Sequence, residues 1–278
     1  MTDLTGKTIG IIGLGQIGGS LALALRKSGV QFEIVGFDRE ESLAIEAVNR
    51  AFLDRKTEAV GETIEVADIV ILALPISGIV ETILEQAGNL KSKLLVTDVG
   101  SLMTDIARAA EAAGLRNFVS GHPIAGTEKR GREAWDETLF EGCRYFLTPS
   151  PGTTVDARRT MEELITSVGA EPIETTADNH DLAFATTSNL VHLLAFCLKQ
   201  AHDSLADEIS GHDRFAGPSF RSVTRVAASD PEMVFQMLWH NRRYLAGALR
   251  NLSGELEMAH EALTNDGPDL IRRLLGRD

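Results

Sequence analysis

Only two cysteines, Cys143 and Cys197, occur in 278 residues. They make no disulfide framework and no metal-ligand spacing, which fits a reducing, cytoplasmic setting and gives no reason to expect a metal centre. A basic excess is missing too: 27 Lys and Arg stand against 40 Asp and Glu, a formal net charge of −13. A general nucleic-acid binder needs a basic face, so that class is set aside, although local arginines can still receive an anionic substrate. Long apolar runs are absent. Residues 66–76 contain Asp68 and Pro75 and fall well short of the ~20 residues of a membrane span. The early run 9–14 is too short for a signal peptide and leads straight into glycines. Repeats and low-complexity tracts are also lacking. What remains has the composition of a globular protein, long enough for one large domain or two small ones around a real core.

Short apolar runs alternate with helical patterns through the first part of the chain. Strands are predicted at 8–12, 33–37, 69–73, 94–97, 117–120 and 144–148, with helices between them such as 16–27 and 43–50. The runs 69–73 and 94–97 are almost wholly apolar, as expected of strands buried on both faces. This rhythm predicts an α/β fold with a doubly wound parallel sheet of the Rossmann type. After Pro149-Ser150-Pro151-Gly152 comes a helix at 153–168 and one last strand at 171–174. Strands then nearly vanish. Residues 178–205 read as one long helix and 231–263 as another, both with unusually apolar surfaces, which points to a subunit interface. The expected division is a dinucleotide-binding domain over 1–176 and an all-helical substrate and dimerisation domain over 177–278.

Gly13-Leu14-Gly15-Gln16-Ile17-Gly18 matches G-x-G-x-x-G, a weak pattern by itself. Here it follows a predicted strand and opens a predicted helix. The glycines permit a tight turn, a close approach of backbone to a pyrophosphate and close helix–strand packing. The helix start offers unpaired N–H groups and a partial positive charge to the phosphates. Asp38 lies 20 residues after Gly18 at the end of the second predicted strand. A carboxylate there accepts from a ribose 2′-hydroxyl and repels a 2′-phosphate, so NAD is favoured over NADP, with Arg39 as the residue that could hold that phosphate instead. Gln16, Ile17, Leu74 and Pro75 complete the cofactor-facing candidates, the last two because carboxyl ends of parallel strands line the binding crevice.

Gly121-His122-Pro123-Ile124-Ala125-Gly126-Thr127 follows another predicted strand. Proline restricts the residue before it, so the backbone aims His122, and imidazole suits proton transfer near neutral pH. Thr97-Asp98-Val99-Gly100-Ser101 ends the strand before; Asp98 reads as a turn cap, Ser101 as a hydroxyl able to donate and accept.

These segments, with Glu128, Asn179-His180-Asp181 and Phe220-Arg221-Ser222-Val223-Thr224-Arg225, occur in an order that resembles the prephenate and arogenate dehydrogenase family, the cyclohexadienyl dehydrogenases. The likeness covers nearly the whole chain, and the histidine segment with its downstream arginine is its most specific part. It implies a nucleotide-binding domain followed by a helical dimerisation domain, NAD-dependent oxidative decarboxylation of a prephenate-like acid in aromatic amino-acid biosynthesis, a homodimer, and no metal. It further implies that His122 takes the hydroxyl proton, that Ser101 binds the same hydroxyl and orients the nicotinamide, that Arg225 pairs with a substrate carboxylate, and that Glu128 gates or polarises the cleft. No attached mutase-like or regulatory segment is seen, so a stand-alone dehydrogenase is expected.

The chain departs from the family in the long helix. Where members often carry Ser-His-Leu-Pro-His, it reads Ser188-Asn189-Leu190-Val191-His192; elsewhere Ser222 stands where many have Asp, and Val234 near where many have an aromatic side chain. His192 and Asn189 are the expected substrate contacts there, and the departures leave the substrate open. A dehydrogenase of 4-amino-4-deoxyprephenate is one alternative. Another two-domain hydroxyacid or imine dehydrogenase is a second, although its usual helix lysine would have to be the late Lys199. A non-catalytic NAD-binding sensor is a third, opposed by the joint retention of Ser101, His122 and Arg225.

Overall fold

Alternate residues of the apolar strands serve two cores, and that is why those strands read as nearly continuous hydrophobic runs. Ile69 and Ile71 pack on one face of the sheet with Ile9, Ile11 and Leu95, while Val70 and Leu72 pack on the other with Ile12, Val96 and Phe118. The computed structural model describes residues 4–126, 131–265 and 267–276.

Among the described residues, eight strands form one sheet: β1 Thr8–Ile12, β2 Glu33–Phe37, β3 Arg55–Lys56, β4 Ile69–Leu72, β5 Leu95–Asp98, β6 Phe118–Pro123, β7 Arg144–Pro149 and β8 Glu171–Glu174. Their order is β3-β2-β1-β4-β5-β6-β7-β8. Every pairing is parallel except β6 with β7. The strand order reverses between β1 and β4, the topological switch point outside which doubly wound sheets bind ligands. The carboxyl ends of β1, β4, β5 and β6 share one edge, and each carries a segment singled out above. Relative to the sequence reading, the strand at 69–73 ends one residue earlier, β5 runs one residue further and β6 continues through His122 and Pro123. The two-residue β3 was not predicted, because a pair of charged residues at a sheet edge carries no hydrophobic period.

Contacts divide the chain into two compact units. Met1–Asp181 with Ser229–Met237 forms the first, and Leu182–Ala228 with Leu238–Asp278 the second. The first therefore extends past residue 176 by five positions and takes in Pro231 and its following turns. The second consists of helices, among them Leu190–Asp203, Pro218–Thr224 and Arg242–Thr264. The helix expected over 178–205 is not uniform: Ala177–Phe184 passes into a π-helical turn, Ala185–Asn189, before Leu190–Asp203 resumes. An inserted π turn rotates everything beyond it and often marks a functional site. The helix expected over 231–263 is likewise two, Pro231–His240 and Arg242–Thr264. Asn241 at the break is buried, and its side-chain amide N–H donates to the side-chain oxygen Oδ1 of Asn189, tying the π turn to the second helix. By length and composition alone, the continuous stretch Ala177–Asp207 is apolar enough to cross a membrane. Its first turns hold the buried His180 and Asp181, committed to the first unit.

Candidate active site

The glycine loop is built by contacts that exclude side chains. Gly13 has φ +96, and a Cβ there would lie 2.2 Å from the Ala73 carbonyl oxygen. A Cβ on Gly18 would lie 2.0 Å from the Gly13 carbonyl oxygen, so the helix Gln16–Lys27 packs against the turn that precedes it. At Gly15 nothing stands within 4 Å of such an atom, which is the space a phosphate needs to approach the backbone. Acidic residues are absent from the first turn of that helix, so no carboxylate competes for its N–H groups. Asp38 accepts from the backbone N–H of Leu14 at 2.6 Å and of Glu40 at 2.8 Å. It thus clasps the loop from the end of β2. Arg39 beside it is exposed. Leu74 packs near Gly13, and Pro75 precedes the helix Ile76–Glu85 at the end of β4. These features fit a dinucleotide.

Trp135 was not singled out from sequence, and it supports this loop from behind. Its indole N–H lies 2.9 Å from the Leu14 carbonyl oxygen and 3.1 Å from that of Gly15. The ring fills the place of a side chain at Gly19, where a Cβ would come within 2.0 Å of the indole nitrogen. Arg50 lies 5.4 Å from the ring centroid and shields its outer face. No spacing rule joins a lone tryptophan to a glycine loop more than a hundred residues earlier, which is why pattern reading passes over it.

Asp98, at the carboxyl end of β5, is fully buried. It accepts from the Ser120 hydroxyl and the Gly100 N–H, each at 2.8 Å, and from the Gly121 N–H at 3.3 Å. Burial outweighs those donors and pushes the carboxyl up to about 7. Its position joins the loop bearing Ser101 to the strand bearing His122. Gly126, with φ +133, would bring any side chain to 3.3 Å from Gln16 Oε1, so the loop after His122 reaches the start of the nucleotide helix.

His122 heads a hydrogen-bonded chain. Its Nδ1 lies 2.9 Å from His180 Nε2, and His180 Nδ1 lies 2.8 Å from Asp181 Oδ1. Asp181 also accepts from the Met103 N–H at 2.9 Å and the Thr104 N–H at 2.8 Å. Those amides open the helix Thr104–Ala112, which begins three residues beyond Ser101. His180 and Asp181 are 3% and 2% exposed, and Phe146 packs edge-on against the His180 ring at 5.4 Å. Burial would raise the Asp181 carboxyl, but donation from His180, Thr104 and Met103 wins and holds it below the usual carboxylate range. Burial, followed by repulsion from His180, pushes His122 down to about 3, against the opposing pull of Asp181. His122 is therefore a neutral imidazole at working pH, the form that can accept a proton. Asn179-His180-Asp181 shows in the sequence as a family segment without a role; a His-Asp pair near the head of a helix is the signal that points to one.

The remaining candidates lie in the second unit or outside the described residues. Arg225 opens a short 3-10 turn after the helix Pro218–Thr224 and is exposed. His192 is half-buried, its Nδ1 3.0 Å from the Ser188 carbonyl oxygen one turn earlier. Asn189 is 1% exposed and held by Asn241, so it sits inside the helical unit rather than on its surface. Glu128 falls outside the described residues. Among the described residues, His202, Asp203 and His212 form one group able to approach a cation. The Lys199 ammonium, 2.6 Å from Asp203, already neutralises that carboxylate.

A glycine-loop helix at a switch point, a carboxylate at the end of β2 and a neutral histidine at a neighbouring strand end are the marks of a nicotinamide-dependent dehydrogenase. Residues 21–174 match the family model of the prephenate dehydrogenase nucleotide-binding domain, and residues 176–277 that of its dimerization domain. A prephenate dehydrogenase of Lactococcus lactis subsp. cremoris is 37% identical over 255 residues, 90% of this chain and 70% of that protein. The crystal structure of prephenate dehydrogenase from Aquifex aeolicus, in complex with hydroxyphenyl propionate and NAD+, superposes with a TM-score of 0.86 at 28% identity, covering 99% of this chain and 97% of that one. Synechocystis arogenate dehydrogenase gives 0.80 at 31% identity, with 97% and 96% covered. The chain belongs to the prephenate dehydrogenase family and is an NAD-dependent dehydrogenase.

Proposed function

We propose that this enzyme carries out the oxidative decarboxylation of a prephenate-like cyclohexadienyl acid, prephenate or arogenate, in aromatic amino-acid biosynthesis. The observation that carries the reading is the common edge of β1, β5 and β6, where the open backbone at Gly15, the Ser101 loop and the neutral His122 all lie. The glycine loop, Gln16, Ile17 and Asp38 would hold NAD, with Leu74 and Pro75 beside it, and bound NAD supplies the hydride acceptor. His122 takes the proton of the substrate hydroxyl as the carbon bearing it is oxidised. Ser101 donates to the same oxygen and keeps it in line. Loss of CO2 leaves its bonding pair in the ring, and the resulting phenolate takes the proton back from His122. The histidine therefore ends the cycle as it began.

Arg225 pairs through its planar fork with a substrate carboxylate, a task lysine would do less well. His192 and Glu128 are further substrate contacts in this reading, and Asn189 acts through the π turn it holds. The exposed apolar side chains of the helical unit, such as Leu182, Trp239, Leu256 and Leu263, form the homodimer face, which also accounts for the apolar stretch Ala177–Asp207 without a membrane. The setting is the cytoplasm. Purified protein with NAD, offered prephenate, arogenate and 4-amino-4-deoxyprephenate in turn, tests the reading by the absorbance of reduced cofactor. Turnover of prephenate or arogenate is expected; a preference for the amino compound would move the enzyme to the specialised alternative, and inertness to all three would overturn the reading.

A further inference from the structure

We infer that His180 and Asp181 are positioning residues that fix the tautomer of His122, and that they hold the positive charge which forms when it accepts a proton. The catalytic half of this inference rests on the function proposed above; the tautomer does not.

The argument follows the donors. An ionised carboxylate only accepts, and Asp181 takes two backbone N–H groups besides His180. The His180 nitrogen facing it, Nδ1, must then carry a hydrogen. In a neutral ring that makes Nε2 an acceptor. His180 Nε2 is 2.9 Å from His122 Nδ1, so His122 Nδ1 is the protonated nitrogen of that ring. The lone pair that receives the substrate proton is therefore on His122 Nε2. This is the tautomer that an isolated imidazole disfavours, and the buried chain selects it, as a carboxylate does for the histidine of a hydrolase triad.

The same chain answers the cost of charging a half-buried imidazole. When the substrate O–H bond breaks, its electron pair stays on oxygen and the proton forms a bond to His122 Nε2. His122 then donates from Nδ1 as a cation into His180, whose own N–H points at the Asp181 anion. The charge faces a carboxylate across one ring instead of an apolar interior. Once CO2 has left, the proton returns to the phenolate oxygen, so no proton is lost or gained over the cycle. Asp181 has a second effect. Its two backbone donors begin the helix that follows Ser101, so one carboxylate sets the place of the Ser101 loop and the orientation of His122 together.

The test uses the full-length protein with 15N-labelled histidine, whose ring nitrogens report protonation by NMR, alongside steady-state kinetics. His122 is expected as the Nδ1–H tautomer at pH 7.5. In His180→Phe it should change to Nε2–H, and kcat should fall about 100-fold while KM and the NAD dissociation constant stay within about two-fold, NAD binding confirming that the variant folds. Asp181→Asn should blur the tautomer preference and lower kcat less. In His180→Gln the amide oxygen can accept from His122 Nδ1, so the tautomer should return and part of kcat with it. Finding Nε2–H in the unaltered protein overturns the inference whatever the substrate proves to be. So does a His180→Phe variant that keeps its tautomer, or one whose kcat is unchanged. A correct tautomer pattern in a protein inert to all three acids would sustain the inference about geometry and sink the proposed reaction.

Discussion

The sheet unit and the helical unit present their candidate residues in opposite ways. In the first, Asp98 accepts three hydrogen bonds, Asp38 two, and His122 is tied to His180, all at strand ends whose spacing the sheet dictates. In the second, Arg225 is exposed at the start of a short turn, His192 is half-buried on a helix, and many large apolar side chains face outward. Rigid strand ends suit steps that need atoms placed to a fraction of an ångström, such as hydride and proton transfer. Helix surfaces accept substitution with less strain, and the proposed function places substrate choice there, apart from the chemistry. Of the departures from family pattern, Asn189, Val191 and Ser222 fall in the helical unit and Val234 in the first.

Breaking the sheet side should cost most. Gly13→Val would combine a left-handed backbone with a clash against Ala73, and a loss of about 4 kcal/mol in stability is expected together with loss of NAD binding. Urea denaturation and NAD titration measure both. Asp98 offers a pH test. Its carboxyl is raised to about 7, so between its ordinary value and 7 the folded state keeps a proton that the unfolded chain has released. Stability therefore falls as pH rises through that window. Relative to Asp98→Asn, the unaltered protein should lose as much as about 3 kcal/mol between pH 4 and pH 7, read from denaturation at the two ends. A flat difference would mean that the carboxylate is ionised throughout.

Much of this architecture could be read in advance because the central strands are buried on both faces and so announce themselves as apolar runs. The features that escaped have no such period. β3 is two charged residues, and the π turn at Ala185–Asn189 adds one residue to a helical turn without changing composition. In the candidate site the glycine loop, Asp38 and His122 stand out because backbone geometry or chemistry restricts the residue type. Trp135 and His180 work through contacts between segments distant in sequence, and only the folded chain brings those together. Asn189 shows the reverse case: a polar residue expected at a cleft is turned inward, where its partner Asn241 satisfies it.

Smaller effects should mark the helical side and the supports of the loop. Arg225→Ala is expected to raise KM about 10- to 100-fold with kcat little changed, the worth of a charged hydrogen-bonded pair. An unchanged KM would leave Arg225 a structural residue and move substrate recognition elsewhere. Trp135→Phe keeps the ring packing against Gly19 and removes only the donor to Leu14 and Gly15. NAD binding should weaken about five-fold, the value of roughly one neutral hydrogen bond, with kcat preserved at saturating cofactor. A fall in kcat instead would show that the loop carbonyls bear on the reacting geometry.

The proposed division between a reaction-bearing sheet and a substrate-selecting helical unit rests on His122. It is tested most directly by His122→Asn, measured for NAD binding by calorimetry and for single-turnover reduction of bound NAD with whichever acid the unaltered enzyme prefers. The account predicts an NAD dissociation constant within about two-fold of the original and a rate lowered by about 10³-fold, the scale of a lost general base. A rate within ten-fold of the original would remove the proton acceptor from this strand end and contradict the account.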